Sequence, residues 1–405
     1  MTGFRSLPRN ARSCIAIEPL WAFFGPMVAY YMPLYQRQLG LSEVQMGLVN
    51  SANIAAGLLF YTLAAPITNK FGRRNTSMWL DFIAWSLSMV LWAISRSFLW
   101  FLVAAVTNAA VRIVYVSWNL LISEDADEGQ RATIFSYINL IGTFGGFTTF
   151  AGGMIIASAG IVPAMRGIFW VGAVILTLMF ILRYIGTSET KTGVYLKTKT
   201  KGQGLLKLVW QQIPNARLAL KDPFFVRMTG IYFIGNAVLS IDFFRILYMK
   251  DVKGLSSFVV SAVPALSAVV SLVIFFFILP RQKALKNLEH LANAFLACLV
   301  AQVLFILMPA GSPLSAILIF PSLQASYALL QTFRDTVFMN STVADQKSDR
   351  FSLIQTLMMF FSIPVGWLAG LLYSTAPQLP FVLASVLYAA GFLLARSLHR
   401  YEQRR

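Results

Sequence analysis

The sequence predicts an all-α polytopic membrane protein with twelve transmembrane helices in two pseudo-symmetric six-helix bundles, both termini being cytoplasmic. Its 405 residues are 57% hydrophobic and only 12% charged, whereas a soluble domain carries about 25% charged residues. Apolar runs long enough to cross a bilayer recur along the whole chain, each near the ~20 residues that span ~30 Å of hydrocarbon. Lysine and arginine gather in the connections on one side, as cytoplasmic loops require.

The first run, 13–35, follows Arg5, Arg9 and Arg12. Glu18 interrupts it and no small-residue cleavage site ends it, so it reads as a retained helix and not a signal peptide. Five further runs follow at 46–68, 76–95, 98–123, 132–158 and 164–187. The second group occupies 224–249, 257–280, 290–309, 313–338, 351–375 and 378–398. Between the groups lies a polar, lysine-rich stretch with only Glu189 and Asp222 as acids. The expected division is therefore a bundle over 1–187, a basic cytoplasmic linker over 188–222 and a second bundle over 223–405.

With the N-terminus inside, 25 Lys or Arg fall in cytoplasmic segments and five outside: Arg37, Arg96, Arg166, Lys250 and Lys253. That bias accounts for most of the +17 net charge, so the charge points to membrane lipids and topology, and nucleic acid is not an expected partner. The linker lysines read as a solvated run facing lipid headgroups. The six-plus-six division has internal echoes. Leu34-Tyr-Gln-Arg-Gln-Leu-Gly-Leu-Ser42 after the first run is matched by Leu247-Tyr-Met-Lys-Asp-Val-Lys-Gly-Leu-Ser256 after the seventh. Arg112, Arg131 and Gly152 are echoed by Arg334, Arg350 and Gly370.

Between the second and third runs lies Ala65-Pro-Ile-Thr-Asn-Lys-Phe-Gly-Arg-Arg74. It resembles the Gly-x-x-x-Asp-Arg/Lys-x-Gly-Arg/Lys-Arg/Lys signature of the major facilitator superfamily: Lys70, Gly72, Arg73 and Arg74 match, while Ala65 and Asn69 replace the glycine and aspartate. The resemblance implies two bundles rocking about a midplane site by alternating access, with Asn69, Lys70, Gly72, Arg73 and Arg74 in gating. Asn69 implies a weaker charge interaction than the aspartate would make. The proton-linked fourth-helix pattern and the antiporter fifth-helix Gly-Pro pair are not matched, so no subfamily is assigned.

Within the spans, attention falls on Glu18, Asp81, Asp242 and Asp335 against Arg112, Arg245 and Arg334. An arginine in mid-bilayer costs about 2.5–3.5 kcal/mol on insertion scales, so it faces protein, water or ligand. On the fourth run Asn108, Arg112, Tyr115 and Asn119 share one stripe. On the tenth, Gln324, Tyr327, Gln331, Arg334 and Asp335 share another. Two such arginines would suit a carboxylate or phosphate; the alternative is that Asp335 or lipid neutralises Arg334. Asn236 adds a hydrogen-bonding group. Glu18 and Asp81 are the expected proton-coupling carboxyls, clustered with Arg112, unless Asp81 is only an end-of-helix anchor. Asp242 and Arg245, three apart, read as an intrahelical ion pair or an outer gate. Trp21, Trp79, Trp85 and Trp118 could stack on a sugar face, although most such tryptophans belong to interfacial belts.

Cys14 and Cys298 lack companions for a disulfide framework or a metal cluster, and His290 and His399 both lie in or beside loops. No phosphate-binding glycine loop is present. Neither enzyme activity, a cofactor nor a metal is expected. The expected function is secondary active transport of a small polar, anionic organic solute across the cytoplasmic membrane, coupled to protons. Drug efflux is the alternative, and a non-transporting sensor of the same fold comes third. No oligomer signal is seen, so a monomer is expected.

Overall fold

The structure is a computed structural model that describes residues 4–210, 221–274, 277, 287–341 and 347–403. Among these residues all the regular secondary structure is helical, with no strand. The first part contains α1 (Arg9–Gln38), α2 (Glu43–Phe71), α3 (Arg73–Ile94), α4 (Phe98–Ser123), α5 (Glu128–Ala159) and α6 (Ile161–Gly186). Two short helices follow, α7 (Lys191–Lys199) and α8 (Leu205–Trp210). Then come α9 (Pro223–Asp242), α10 (Ser257–Val273), α11 (Asn287–Leu307), α12 (Pro313–Ser341), α13 (Lys347–Thr375) and α14 (Leu379–Gln403).

Eleven of these helices are long and apolar enough to cross a membrane. The eighth expected span is occupied by α10, whose described part is 17 residues long; the rest of that span falls largely outside the described residues. Helical spans are the natural form for so apolar a chain, since each backbone group must find its partner inside its own segment. The linker, expected as a solvated run, is partly ordered into α7 and α8. Its lysines 191, 197 and 199 are exposed, but Thr190 is buried and caps α7 by accepting from Gly193 N.

The chain forms two compact units: Met1–Gly40, Ala52–Thr148 and Ser158–Ile213 in one, and Leu41–Ser51, Thr149–Ala157 and Pro214–Arg405 in the other. In the first, α1 packs on α6, and α3 packs on α4 and α6. Leu7, Ala11, Cys14 and Ile15 of the N-terminal segment and α1 bury against Leu121, Ile122, Ala126 and Ile134. In the second, α9 packs on α13 and α14, α10 on α12, and α11 on α12 and α14.

Local departures from regular helix mark the first unit. Within α3, Phe82–Leu87 forms a widened π turn. Within α4, Arg112 N donates to Ala109 O and Ile113 N to Ala110 O, both at 3.0 Å. These are three-residue closures that tighten the helix just before Arg112. Neither stretch contains proline or glycine, so the distortion comes from tertiary partners and not from helix-breaking residues.

Candidate functional site

In the first unit, α1, α3 and α6 bring Glu18, Asp81 and Arg183 together. Arg183 Nη2 lies 3.2 Å from Glu18 Oε2, and Nη1 donates to Asp81 Oδ2. All three side chains are nearly inaccessible, and Cys14, one turn before Glu18, is buried beside them. The Arg183 guanidinium lies 5.5 Å from the Phe180 ring and 5.8 Å from the Trp118 ring. The expected partner of the carboxyls, Arg112, is corrected to Arg183. Asp81 is likewise not a helix-end anchor but a fully buried half of an ion pair. Arg183 lies about one turn from the end of the sixth run, where a long side chain can snorkel to the surface, so it was counted among the cytoplasmic cations. The signal that could have found it was the pair of buried acids, which need a cation close by.

Arg112 is therefore left without either acid. It makes no ion pair among the described residues, and its Nε is buried without a hydrogen-bond partner. Tyr61 of α2 interacts with it electrostatically. The rest of the α4 stripe is divided among different tasks. Asn108 Nδ2 donates to Ala84 O of the α3 π turn at 2.8 Å. Asn119 Nδ2 turns back onto Tyr115 O at 2.6 Å, and Tyr115 is exposed. Arg112 is thus the member of the stripe with unspent polar capacity.

In the second unit Arg334 is paired: Nε donates to Asp335 Oδ1 at 2.9 Å, and the guanidinium lies over the Tyr232 ring at 4.2 Å. Tyr232 also donates its hydroxyl to Asp335, at 2.7 Å. Tyr327 donates to Gly235 O, and Gln331, one turn along the same helix, is half-buried. Gln324 is exposed. Asn236 Nδ2 donates to Ser362 Oγ, which ties α9 to α13. Asp242 and Arg245 form an i,i+3 ion pair, with the guanidinium 5.6 Å from the Phe305 ring.

The 69–74 loop is held by two acids that sequence reasoning did not select. Gly72 takes φ +89°, a conformation glycine adopts at no steric cost, and opens α3. Glu189 receives the first amides of that helix, Arg73 N at 2.9 Å and Arg74 N at 3.3 Å. An anion at a helix N-terminus is favoured by unpaired amides and by the helix dipole. Arg73 forks onto Glu124, with Nε and Nη2 within 3.2 Å of its oxygens, and its Nη1 donates to Asn69 Oδ1 at 3.1 Å. The charge missing at Asn69 is therefore supplied by Glu124. Lys70 Nζ donates to Gln203 O, and Arg74 donates to Tyr184 O while stacking on the Tyr184 ring at 3.7 Å. Glu124 and Glu189 sit in connections outside the apolar spans, where an ionisable residue is not unusual and the sequence gives it no emphasis.

Comparison with known proteins adds family and fold. The family described as Major Facilitator Superfamily matches residues 20–342. No curated protein matches the chain by sequence. Among solved structures, the chain is similar to the POT family transporter PepTSo, with a TM-score of 0.72 and 13% identity, covering 98% of each chain. It is similar to the nucleoside transporter NupG at TM-score 0.69 and 15% identity, covering 97% of this chain and 98% of that one. The human organic anion transporter MFSD10 (TETRAN) follows at TM-score 0.62 and 16% identity, covering 95% of this chain and 99% of that one. At such identities the likeness concerns the fold.

Proposed function

This chain belongs to the Major Facilitator Superfamily, and from that premise we propose that it moves a small, polar, anionic organic solute across the cytoplasmic membrane, coupled to protons. It is a multi-pass integral membrane transporter. The observation that carries the anionic reading is Arg112. Arg183, Arg245 and Arg334 each hold a carboxylate, whereas Arg112 has none among the described residues. Arg112 is half-buried with its Nε enclosed; a guanidinium in a membrane span without a counter-ion is costly, and a solute carboxylate or phosphate supplies the missing charge through a bidentate fork. Arg334, with Tyr232, Asn236, Gln324 and Gln331 nearby in sequence or space, is the corresponding polar group of the second unit.

The coupling reading rests on the buried cluster of Glu18, Asp81 and Arg183. Two ionised carboxylates against one guanidinium leave one surplus negative charge, which a single proton cancels. Loss and gain of that proton changes how tightly Arg183 joins α1, α3 and α6. Alternating access then gives such a site exposure to each side in turn. The similarity to solved transporters of peptides, nucleosides and organic anions agrees with a polar cargo, but each of those substrates belongs to the protein that carries it.

The test is transport by the purified full chain in liposomes bearing a pH gradient, with a mixture of organic acids, sugars, nucleosides and lipophilic cations offered outside. Mass spectrometry of the lumen should find an organic anion accumulated only while the gradient lasts. Glu18→Gln should abolish uphill accumulation and leave exchange measurable. Gradient-driven accumulation by Glu18→Gln would remove Glu18 from coupling, and accumulation or expulsion of lipophilic cations alone would replace the reading with drug efflux.

A further inference from the structure

The π turn of α3, Phe82–Leu87, begins immediately after Asp81, and side chains from three other helices meet it. Asn108 Nδ2 of α4 donates to Ala84 O at 2.8 Å. Thr177 Oγ1 of α6 donates to Ser86 Oγ at 2.8 Å. The ring of Trp85 meets that of Trp21 of α1 edge to face at 5.5 Å. Each of these helices also carries a site residue: Glu18 lies three residues before Trp21, Arg183 six after Thr177 and Arg112 four after Asn108.

A π turn holds one residue more than an ordinary helical turn and persists where neighbouring groups stabilise it. Ala84 is fully buried, and a buried carbonyl requires a donor. Asn108 supplies one. The helix carrying Asn108 is itself tightened over the next residues, where Arg112 N and Ile113 N close on Ala109 O and Ala110 O. A widened turn on one helix and a tightened turn on its neighbour are thus joined by a single side-chain bond. The widened turn starts next to Asp81 and the tightened turn includes Arg112.

We propose that the Phe82–Leu87 turn is the coupling element between Glu18–Asp81–Arg183 and Arg112, with Asn108 as the positioning residue that transmits its state. The proposal rests on reading the first group as the proton site and Arg112 as the anion site. Neutralising Asp81 loosens its bond to Arg183 and frees the residue that borders the π turn. The turn can then return to ordinary four-residue closure, in which Ala84 O no longer needs Asn108. Released, Asn108 lets the Ala109–Arg112 turn relax and carries the Arg112 guanidinium to a new position. The π turn is then a two-state element biased from both sites, which is the physical requirement for coupling.

Hydrogen exchange of the full chain in lipid nanodiscs, read by mass spectrometry over residues 109–114, tests this without any transport substrate. Asp81→Asn, which imitates the neutral acid, should change exchange there by about fivefold, the scale of one net hydrogen bond. In the Asn108→Ala background the same Asp81→Asn change should leave 109–114 unaltered while still altering 82–89. Where Asn108→Ala yields no folded protein, the nearly isosteric Asn108→Leu is read in the same way. No response of 109–114 to Asp81→Asn, or an equal response with and without Asn108, overturns the proposal. Neither outcome depends on whether Arg112 binds an anion, so failure of that reading would be seen separately in the transport assay.

Discussion

Arg183 shows how a buried charge is defined by its partners and not by its depth alone. Its guanidinium holds Glu18 and Asp81 at once, so removing it leaves two buried carboxyls without a cation. Breaking a buried pair in this way costs about 3–5 kcal/mol. Arg183→Gln should therefore lower the unfolding temperature and the folded yield in detergent, and the double variant Arg183→Gln with Asp81→Asn should recover part of the loss. No loss in the single variant would mean the cluster is not an energetic unit. The two acids were legible in the sequence because ionisable residues in apolar runs are rare and expensive. Arg183 was not, since an arginine near a helix end satisfies a loop position equally well by pattern.

At the scale of elements, the 69–74 loop depends on geometry that only Gly72 permits and on the charge of Glu189. A Cβ at Gly72 would collide with the Glu189 carboxylate, and φ +89° adds strain for any other residue. Gly72→Ala is expected to cost about 1–3 kcal/mol, read as a drop in unfolding temperature. Glu189→Ala removes an anionic cap worth about 1 kcal/mol and should speed exchange of the amides at 73–76. Unchanged exchange there would contradict the capping role. The apolar runs made the long helices legible because crossing length is a property of composition and length. The π turn of α3 and the tightened turn of α4 left no such trace: Phe82–Leu87 and Thr107–Arg112 carry neither glycine nor proline. Their irregularity is held by Asn108 and Thr177, contacts that exist only after the helices have packed.

For the whole molecule, the five-to-one bias of lysine and arginine predicts cytoplasmic termini and a cytoplasmic linker. Since Cys14 and Cys298 are both buried, introduced cysteines should report sidedness against a low background. An impermeant maleimide applied to intact cells should label Lys250→Cys and spare Lys201→Cys, with the order reversed in inverted vesicles; the opposite pattern would invert the topology. The echoes around Arg112 and Arg334 predict duplicated halves, but the two arginines differ in circumstance. Arg334 has Asp335 beside it and Tyr232 beneath it, whereas Arg112 has no carboxylate among the described residues and its Nε has no hydrogen-bond partner. That asymmetry makes Arg112 the centre of the functional account.

The most direct test is ligand-induced thermal stabilisation of the purified full chain, compared between wild type and Arg112→Lys, across organic anions, neutral sugars and nucleosides, and lipophilic cations. Binding to the folded state raises apparent stability, and lysine keeps the charge of Arg112 while losing its bidentate fork. The account predicts that one or more organic anions stabilise the wild type and that Arg112→Lys binds them at least about tenfold more weakly. Stabilisation by neutral or cationic solutes alone, or an anion response unchanged in Arg112→Lys, would contradict it.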